Sequence, residues 1–378
     1  MDRFVFSSVA QEIVCASDAI DATDGLGAML ERWHAERALI VCGPNIRSGS
    51  DVVGRVEAAL GARQVGVFDG VLPHAPVHTL EAAMKIAKTV RPSVLVSVGG
   101  GSTHDTSKGI AILLADGGRI HDHETRAGHS PSNRPRLPIL AVSTTMGGAE
   151  LSRGAGFTDK TLGRKIGVYD SGTTPRGILI DGRALATTPT RILVGTAVGQ
   201  LRIAVEMVCS RARNPFSDAL AMRAIALLVE RLPRCAAKAP AELMYIKTAA
   251  LMASMANQGS LGLCTALSHQ IGGLYDVGHG EANAILLPHV MRFNASASGD
   301  QQAAIATAMS LRSGEPPADG IARLVEQLGL PTRLRDVGVP EEGLQVIAQA
   351  AHGERSLLSN PRRIDGVPDI VGVLREAW

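Results

Sequence analysis

The sequence has few aromatic residues and almost no net charge. Aromatic side chains make up 3% of its 378 residues, and 38 basic against 36 acidic residues leave a formal net charge of +2. A charge balance this close to zero gives no electrostatic footprint for a nucleic acid or an anionic membrane. The shortage of aromatic rings also argues against the stacking platforms of single-strand binders. We therefore expect no nucleic-acid partner and no membrane partner.

Cysteine is scarce as well, with five residues that are scattered along the chain and never spaced as CxxC. An odd number of scattered cysteines is typical of free thiols in a reducing compartment. We therefore expect neither a disulfide framework nor a zinc knot. Residues 1–4 lack the apolar core of a signal peptide. No run of about 18 uncharged apolar residues suggests a membrane-spanning helix. These features predict a cytoplasmic protein.

The first half of the chain alternates short apolar, β-branched runs with segments of helical spacing. Helices are predicted over 77–90 and 102–114. Strands that read as continuous apolar runs, with helices between them, indicate a parallel sheet covered on both faces. The predicted strands are 38–42, 64–68, 93–98, 138–142 and 177–181.

After about Thr188 the pattern changes to segments rich in Ala, Leu and Met. No comparable strand run follows, so this half is predicted to be helical. A chain of this length exceeds one usual hydrophobic core. We therefore expect an α/β dinucleotide-binding domain over 1–186 and an all-helical domain over 187–378. The predicted helices are 190–208, 215–232, 239–258, 284–294, 301–311 and 321–328.

A glycine-rich turn, GGGSTHDTSK over 99–108, follows a predicted strand and opens a predicted helix. Glycine lets the backbone approach a diphosphate, and the unpaired N–H groups of a helix start bind anions. Ser102 and Thr103 can add hydroxyl donors. The spacing is neither GxGxxG nor a P-loop, and a simple tight turn is the alternative interpretation.

Residues 116–136 read as a loop that contains His121, His123 and His129. Three histidines can bind a metal ion. The flanking Asp, Arg and Ser residues favour an exposed loop over a metal site.

Four segments together resemble the iron-containing alcohol dehydrogenase superfamily. They are the glycine-rich turn, STTMGGAE over 143–150, the segment 180–189 and HQIGGLYDVGHGEANAILLPH over 269–289. The resemblance implies the dehydroquinate synthase-like fold, a small-molecule substrate, a homodimer and NAD or NADP as cofactor. The cofactor-binding residues it implies are Gly43, Asn45, Gly99, Gly100, Gly101, Ser102, Thr103, Asp105, Lys108, Thr144 and Thr145.

Within this superfamily, segments 68–77 and 143–150 and the tail 360–378 resemble the maleylacetate reductase branch. That resemblance implies reduction of maleylacetate to 3-oxoadipate, in the catabolism of aromatic compounds.

The chain departs from the family at the metal ligands. The resemblance implies an Asp and a His four residues apart on one helix, followed by two further histidines. Gly199, Ile203 and Thr265 stand at the first three positions, and His279 remains at the fourth. Glycine and isoleucine have no donor atom, so we predict no catalytic metal.

Without a metal, another electrophile has to act on the substrate. We predict that one of His269 and His279 donates the proton while the other positions the substrate, with a purely structural role as the alternative. Arg202 and Arg153 could bind a substrate carboxylate, although a solvated surface explains Arg202 equally well. Tyr275, in the same signature as the histidines, is the third residue expected on the substrate side.

Cofactor preference depends on the position after the first predicted strand, where NAD-selective members carry an Asp. Gly43 stands there, so NADP should be tolerated. Arg47 is either a contact for the 2′-phosphate or a surface residue.

Three functions stay open at this point. The first is a reductase without metal that resembles maleylacetate reductase. The second is an alcohol or aldehyde dehydrogenase of unknown substrate. The third is a cofactor-binding protein whose catalysis has decayed.

Overall fold

The structure, a computed structural model, describes residues 4, 6, 8, 10–125, 134–257, 259 and 261–378. Its strands form where apolar, β-branched residues run together, since such residues pack well on a buried pleated surface. The strands are β1 (Glu12–Ala16), β2 (Ala38–Cys42), β3 (Gln64–Phe68), β4 (Val94–Gly99), β5 (Ile139–Ser143), β6 (Gly154–Asp159), β7 (Arg164–Tyr169) and β8 (Gly177–Asp181).

Six of these strands form one parallel sheet in the order β1-β8-β5-β4-β2-β3. The predicted strands 38–42, 64–68 and 177–181 have the observed bounds, and the other two are shifted by one residue. β1 was not predicted. In this edge strand exposed residues alternate with half-buried ones, so it is not a fully buried run. The predicted α/β class with a parallel sheet is confirmed.

The helices complete the architecture, and none of the described residues after Thr188 forms a strand. The predicted all-helical second half is therefore confirmed. The helices are α1 (Leu26–Arg32), α2 (Pro44–Gly49), α3 (Val52–Leu60), α4 (Val77–Val90), α5 (Gly101–Asp116), α6 (Gly182–Ala186), α7 (Thr190–Cys209), α8 (Pro215–Arg231), α9 (Pro240–Ala256), α10 (Leu263–Tyr275), α11 (His279–Asn294), α12 (Gly299–Ala308), α13 (Pro317–Gln327), α14 (Leu344–His352) and α15 (Val367–Ala377).

Both faces of the sheet are covered, as continuous apolar strands require. Alternate residues of one strand point to opposite faces. Ile40 of β2 packs in a cluster with residues of α1 and α3. Its neighbour Leu39 packs in a second cluster with residues of α4 and α5.

A two-stranded antiparallel hairpin, β6 and β7, was missed by the sequence analysis. Phe157, Ile166 and Val168 from this hairpin pack in the same cluster as α4 and α5. Asp159 fixes its turn, because one carboxylate oxygen accepts hydrogen bonds from the backbone N–H groups of Thr161 and Leu162, at 2.8 and 3.1 Å. The hairpin thereby covers α5, the helix that follows the glycine-rich turn.

Helix starts in the second half follow local capping chemistry. At α8, the side-chain oxygen of Asn214 accepts from the backbone N–H groups of Phe216 and Ser217, both at 3.0 Å, and Pro215 occupies the first helical position. Proline fits there because its missing N–H would be unpaired anyway. These features place the start of α8 where it was predicted.

Within the described part of the chain, one helix, α7, is long and apolar enough to cross a membrane by length and composition alone. Inside the protein, however, 78% of its apolar window is buried. That burial is typical of the core helix of a globular domain.

The chain divides into two compact units. One contains Val9–Thr188 and Ala239–Met244, and the other contains Met1–Ser8, Pro189–Lys238 and Tyr245–Trp378. The first is called the α/β unit below and the second the helical unit. The sequence analysis placed a domain boundary at 186/187. As a limit between domains that fold independently, this boundary stays a prediction.

A histidine of α11 makes the stability of the helical unit depend on pH. Burial, together with Arg292 and Arg333, lowers the pKa of His289 to about 4 from 6.5. Between these values the unfolded chain binds a proton that the folded chain does not, so stability falls as the pH drops from 6.5 to 4. We expect His289→Gln to reduce the loss of Tm between pH 7.5 and 4.5 by about 2–5 °C. Scanning calorimetry at both pH values measures this, and an equal loss in both proteins would contradict it.

Candidate functional site

Three strands of the parallel sheet bring predicted cofactor residues to one edge. Cys42 pairs with Val98, and Gly99 pairs with Ser143. Gly43, the glycine-rich turn and Thr144 therefore follow neighbouring strands at the carboxyl edge of the sheet. Since β3 lies on one side of β2 and β4 on the other, the strand order reverses here. Open α/β sheets bind ligands in the crevice at such a point.

The glycine-rich turn is shaped by the absence of side chains. Gly99 has φ +156°, and a Cβ there would lie 2.3 Å from Oγ1 of Thr103. A Cβ on Gly100 would lie 2.8 Å from Cγ2 of Thr145. Only glycine fits at these two positions, and α5 begins at the next residue, Gly101. The first N–H groups of any helix have no intrahelical acceptor, so the turn can present them to a diphosphate.

Hydroxyl groups around the turn hold its neighbours in place. Ser102 Oγ accepts from the backbone N–H of His74 at 2.9 Å, which leaves its own hydrogen to donate. The backbone N–H of Thr144 donates to the carbonyl of Gly99 at 2.9 Å, and the carbonyl of Thr144 accepts from Thr188 Oγ1 at 2.7 Å. Thr103 and Thr144 are both buried. These bonds join the glycine-rich turn to the segment after β5.

Lys108 has a different task from the one that the sequence indicated. Its ammonium group is fully buried and donates to the carbonyl oxygens of Ala149, Ser152 and Gly154, at 2.7, 2.8 and 2.9 Å. Three acceptors use all three N–H donors of a lysine. Burial lowers the pKa of Lys108, and the nearby charge of Asp105 opposes this shift. Direct contact with a diphosphate is therefore corrected to anchoring of residues 149–154.

Asp105 belongs to the same anchor. Its Oδ2 accepts from the backbone N–H of Gly156 at 3.1 Å, and its Oδ1 lies 4.0 Å from Nζ of Lys108. Burial raises the pKa of Asp105, and Lys108 opposes the rise. Both charged residues of the GGGSTHDTSK motif thus face the start of the hairpin rather than a ligand.

A buried polar network that the sequence analysis missed extends this anchor. Glu150 is 1% exposed, and its Oε1 accepts from Ser143 Oγ at 2.8 Å. Its Oε2 lies 4.0 Å from Nε2 of His104, whose Nδ1 is 2.8 Å from Ser97 Oγ. His104 and Glu150 both stand in segments that carry the family resemblance, and their positions there are the signal that could have found them. The network links β4, α5 and the segment after β5.

The charged residues near Gly43 are arranged differently from what the sequence analysis considered. Arg47 pairs with Glu57 at 2.7 Å, so its charge is already balanced, and Asn45 lies exposed on α2. Phe68 pairs with Val41, which puts Asp69 beside Cys42 at the same edge. Burial, and then the charge of Asp69, raises the pKa of Cys42 to about 12. A carboxylate therefore approaches this part of the edge from β3, although Gly43 itself has none.

In the helical unit, α7 and α11 approach so closely that two glycines touch. A Cβ on Gly280 would lie 2.5 Å from the carbonyl carbon of Gly195. One turn further along α7, a Cβ on Gly199 would lie 3.4 Å from Nδ2 of Asn283. The position of the missing Asp therefore faces α11 at Asn283, four residues after His279.

The two predicted catalytic histidines lie next to each other. His269 is on α10 and His279 is the first residue of α11; their ring centroids are 6.0 Å apart at an interplanar angle of 77°. His269 is exposed and His279 is half-buried. An αL turn at Asp276, with φ +54°, reverses the chain between the helices and brings the rings together.

Arg202 lies inside the helical unit and not on a solvated face. It is 8% exposed, and its Nη1 donates to Oε2 of Glu206 at 3.0 Å and to Oγ1 of Thr265. Glu206 in turn accepts from the hydroxyl of Thr265 at 2.5 Å and from its backbone N–H at 3.2 Å. Sequence reasoning missed Glu206, although a residue four positions after Arg202 shares its helix face.

These residues do not fit a bound iron ion. Gly199 and Ile203 offer no donor atom, and the hydroxyl of Thr265 is shared between Arg202 and Glu206. The guanidinium group of Arg202, which is bonded to Thr265 at the third position, would repel a metal cation. One imidazole, on His279, is a poor site for a divalent metal. Among the residues described, no group of three or more His, Cys, Asp or Glu side chains could hold a metal ion.

The two described histidines of segment 116–136 have partners within the protein. Nε2 of His121 lies 2.6 Å from Oδ2 of Asp159, and Nε2 of His123 lies 3.0 Å from the carbonyl of Gly117. Hydrogen bonds from Thr161 and His121 lower the pKa of Asp159. His123 is buried, so the expectation of an exposed loop is wrong for this residue. His129 lies outside the described residues.

Two predicted substrate residues, Arg153 and Tyr275, have structural partners of their own. Arg153 is in the α/β unit, where its Nη1 lies 3.5 Å from the hydroxyl of Tyr169 on the hairpin. The hydroxyl of Tyr275 packs against Gly343, where a Cβ would lie 2.2 Å from it. No described contact joins Tyr275 to either histidine ring, so a role in substrate binding has no support from its packing.

A parallel sheet with a glycine-rich turn at its carboxyl edge, together with a separate helical unit, is typical of an α/β protein of the dinucleotide-binding class. The sequence model of iron-containing alcohol dehydrogenases matches residues 11–182, and the C-terminal model of the same family matches residues 193–378. The chain belongs to the iron-containing alcohol dehydrogenase family.

Relatives within this family include dehydrogenases of small alcohols. The chain is 31% identical over 375 residues to the NAD-dependent methanol dehydrogenase of Bacillus methanolicus, covering 94% of this chain and 96% of that protein. A crystal structure of a 1,3-propanediol oxidoreductase superposes with a TM-score of 0.92 at 30% identity, over 100% of both chains. The maleylacetate reductase of Rhizobium sp. strain MTP-10005 superposes with a TM-score of 0.83 at 24% identity, over 100% of this chain and 99% of that one. The last similarity concerns the fold alone.

Removing the Lys108 anchor should weaken cofactor binding through the segment that it holds. Lys108→Met leaves the carbonyl oxygen of Ser152 without a donor, at a cost of about 1–3 kcal/mol. The carbonyls of Ala149 and Gly154 lose one donor each and keep the backbone N–H and the hydroxyl of Ser152, respectively. We expect a lower Tm and roughly tenfold weaker NADH binding by fluorescence titration, about 1.4 kcal/mol of binding free energy. Lys160→Met, at the exposed hairpin turn, is the matched control. A lower Tm with unchanged NADH affinity would show that the anchor does not position the cofactor site.

Proposed function

We propose that this oxidoreductase is an NAD(P)H-dependent reductase that works without a catalytic metal. The observation that carries the proposal is the guanidinium group of Arg202, which is bonded to Thr265 at a position where the family resemblance implies a metal ligand. Gly199 and Ile203 support the same interpretation, because neither can coordinate an ion.

The carboxyl edge of the sheet is the proposed dinucleotide site. The amides of the glycine-rich turn fit a diphosphate, and the free hydroxyl hydrogen of Ser102 adds a donor. Asp105 and Lys108 are assigned an indirect role, since they fix residues 149–156. Residues proposed to contact the cofactor are Gly43, Asn45, Gly99, Gly100, Gly101, Ser102, Thr103, Thr144 and Thr145.

The proposed chemistry needs a hydride and a proton. Bound NADH or NADPH supplies the hydride. For reduction of an activated C=C bond, the hydride adds to the carbon β to the ketone, the π electrons move to the ketone oxygen, and a proton reaches the α carbon. His269 and His279 are the proposed proton donor and substrate-positioning residue, because imidazole exchanges protons near pH 7.

Maleylacetate, reduced to 3-oxoadipate in aromatic catabolism, is the first candidate substrate. It carries carboxylates, and Arg202 is a fixed cation one helical turn from His269 through Thr265. The segments 68–77, 143–150 and 360–378 support it by resemblance. Arg153 and Tyr275 were expected to assist, but their observed partners, Tyr169 and Gly343, give this part of the proposal less support.

An alcohol or aldehyde is the second candidate substrate. The methanol dehydrogenase and the 1,3-propanediol oxidoreductase named above act on small neutral alcohols by their names, and both are more similar in sequence to this chain than the maleylacetate reductase is. Such a reaction would have to use the histidines as its only electrophiles.

Asp69 favours NADH over NADPH within this proposal. Its carboxylate reaches the edge beside Cys42, and Arg47 is neutralised by Glu57. A 2′-phosphate near this edge would meet a like charge without a free cation to offset it. The chain should therefore use NADH in preference, even though Gly43 does not exclude NADP.

The proposal also includes a cytoplasmic homodimer. The five cysteines, all within the described residues, form no disulfide, and four of them are buried. Burial is the main factor that raises the pKa of Cys235, to about 11, and it also raises that of Cys209. Buried thiols outside disulfides fit a reducing compartment.

An absorbance assay with a substrate panel tests the function. We expect oxidation of NADH, faster than of NADPH, with maleylacetate or with simple aldehydes, in protein purified without chelating resin. Metal content is measured on the same sample and is expected to lie well below one iron or zinc per subunit. One equivalent of metal would overturn the metal-free mechanism. Cofactor binding without any turnover would instead support a protein with decayed catalysis.

Alanine substitutions test the histidines. If one of them is the general acid, His269→Ala or His279→Ala should lower kcat by about two orders of magnitude. Circular dichroism should be unchanged, because neither ring is fully buried. His352→Ala, on α14, is a control that lies outside the site. Normal kcat in both site variants would exclude general-acid catalysis by this pair.

A further inference from the structure

The strongest unassigned feature is the buried ion pair of the helical unit, Arg202 with Glu206. Arg202 keeps 10% of its side chain exposed and Glu206 keeps 5%. Nη1 of Arg202 is fixed by two acceptors, Glu206 and Thr265. A guanidinium held in this way has lost its rotational freedom, so it is preorganised for a further ligand.

Glu206 is fixed independently of Arg202. Gly262 precedes α10, and Glu206 accepts from the backbone N–H of Thr265, the third residue of that helix, at 3.2 Å. A carboxylate at a helix N-terminus is stabilised by the helix dipole and by the unpaired N–H groups there. Glu206 therefore interacts with the start of α10 as well as with Arg202.

One side of the guanidinium group of Arg202 has no protein acceptor. Nε is buried and has no hydrogen-bond partner among the described residues. A buried donor of a charged group without an acceptor is costly, and native proteins rarely leave one so. Glu206 and Thr265 accept from Nη1, so the edge of the guanidinium group that carries Nε is the one with an unpartnered donor among the described residues.

The position of this edge relates it to the histidines. Arg202 lies three residues after Gly199 on α7, so the two share a helix face. Thr265 lies four residues before His269 on α10, a rise of about 6 Å. A ligand on Arg202 would therefore be within reach of the histidine pair if it were the size of a small dicarboxylic acid.

We propose that Arg202, held by Glu206 and Thr265, is a carboxylate-binding subsite that selects small oxo acids as substrates. This inference rests on the proposed reductase function and narrows its substrate class. The carboxylate accepts from the buried Nε of the guanidinium group, so its binding has to displace the side chains that cover this edge, while the carbonyl end of the same molecule faces the histidines. Neutral alcohols of similar size lack the group that this edge requires.

Binding of malonate to the cofactor-free protein tests the subsite directly. Isothermal titration calorimetry in a buffer free of phosphate and carboxylates compares malonate with the neutral malonamide. We expect malonate to bind and malonamide not to bind. Arg202→Met should weaken malonate binding at least tenfold, and Arg202→Lys, which lacks the planar fork, should weaken it to a smaller extent.

Arg234→Met is the matched control. Arg234 also faces a glutamate at i,i+4 spacing, Glu230, but in an exposed pair at 4.0 Å, so its loss should not change malonate binding. Circular dichroism checks the fold of each variant, and Arg202→Lys keeps the test valid if Arg202→Met fails to fold. Equal binding by the wild type and the Arg202 variants would overturn the subsite, as would equal binding of malonate and malonamide or no binding of malonate.

The outcome is separable from that of the proposed function, because malonate binding needs no turnover. Binding that depends on Arg202, in a protein without reductase activity, would support the subsite and overturn the reductase. Reduction of neutral aldehydes by a protein that does not bind malonate would overturn only the subsite.

Discussion

The hydrogen-bonded ion pair between Arg202 and Glu206 is the interaction on which the interpretation of the helical unit depends. It joins α7 to α10 through both the side chain and the backbone of Thr265. A metal ion bound by side chains from several helices would cross-link them by coordination; here hydrogen bonds from an internal cation do so. The positive charge is thus built into the polypeptide, at a site where the donor atoms for an ion are missing.

The α/β unit has a comparable arrangement, since charged side chains near its ligand edge are used to hold backbone. Lys108 and Asp105 bind residues 149–156, and Glu150 ties the same segment to β5 through Ser143. Residues 99–103, at the start of the glycine-rich turn, carry no charge. Binding of a diphosphate would therefore depend on the direction of backbone amides, and the buried charges determine the shape of the surrounding segment.

Much of the fold could be predicted from the sequence because its strands are unbroken apolar runs, such as Ala38–Cys42, between helical segments. The hairpin was missed because β7 (Arg164–Tyr169) buries only alternate residues and is rich in charge. At the site, the motif identified the edge but not the partners of its residues. Lys108 and Tyr275 were assigned to ligands because the sequence does not show what a long side chain contacts. Lys108 binds three carbonyl oxygens, and Tyr275 packs against Gly343. The signature did indicate the histidine pair, whose rings the structure places side by side.

The contact between Gly195 and Gly280 has a consequence for how this chain can vary. A Cβ on Gly280 would overlap the backbone of Gly195, so any larger residue at position 280 would have to separate α7 from α11, whereas a Cβ on Gly195 would meet Gly280 at an ordinary 3.6 Å. His279 directly precedes Gly280 and would move with the helix. A residue without a functional group therefore restricts where this imidazole can lie.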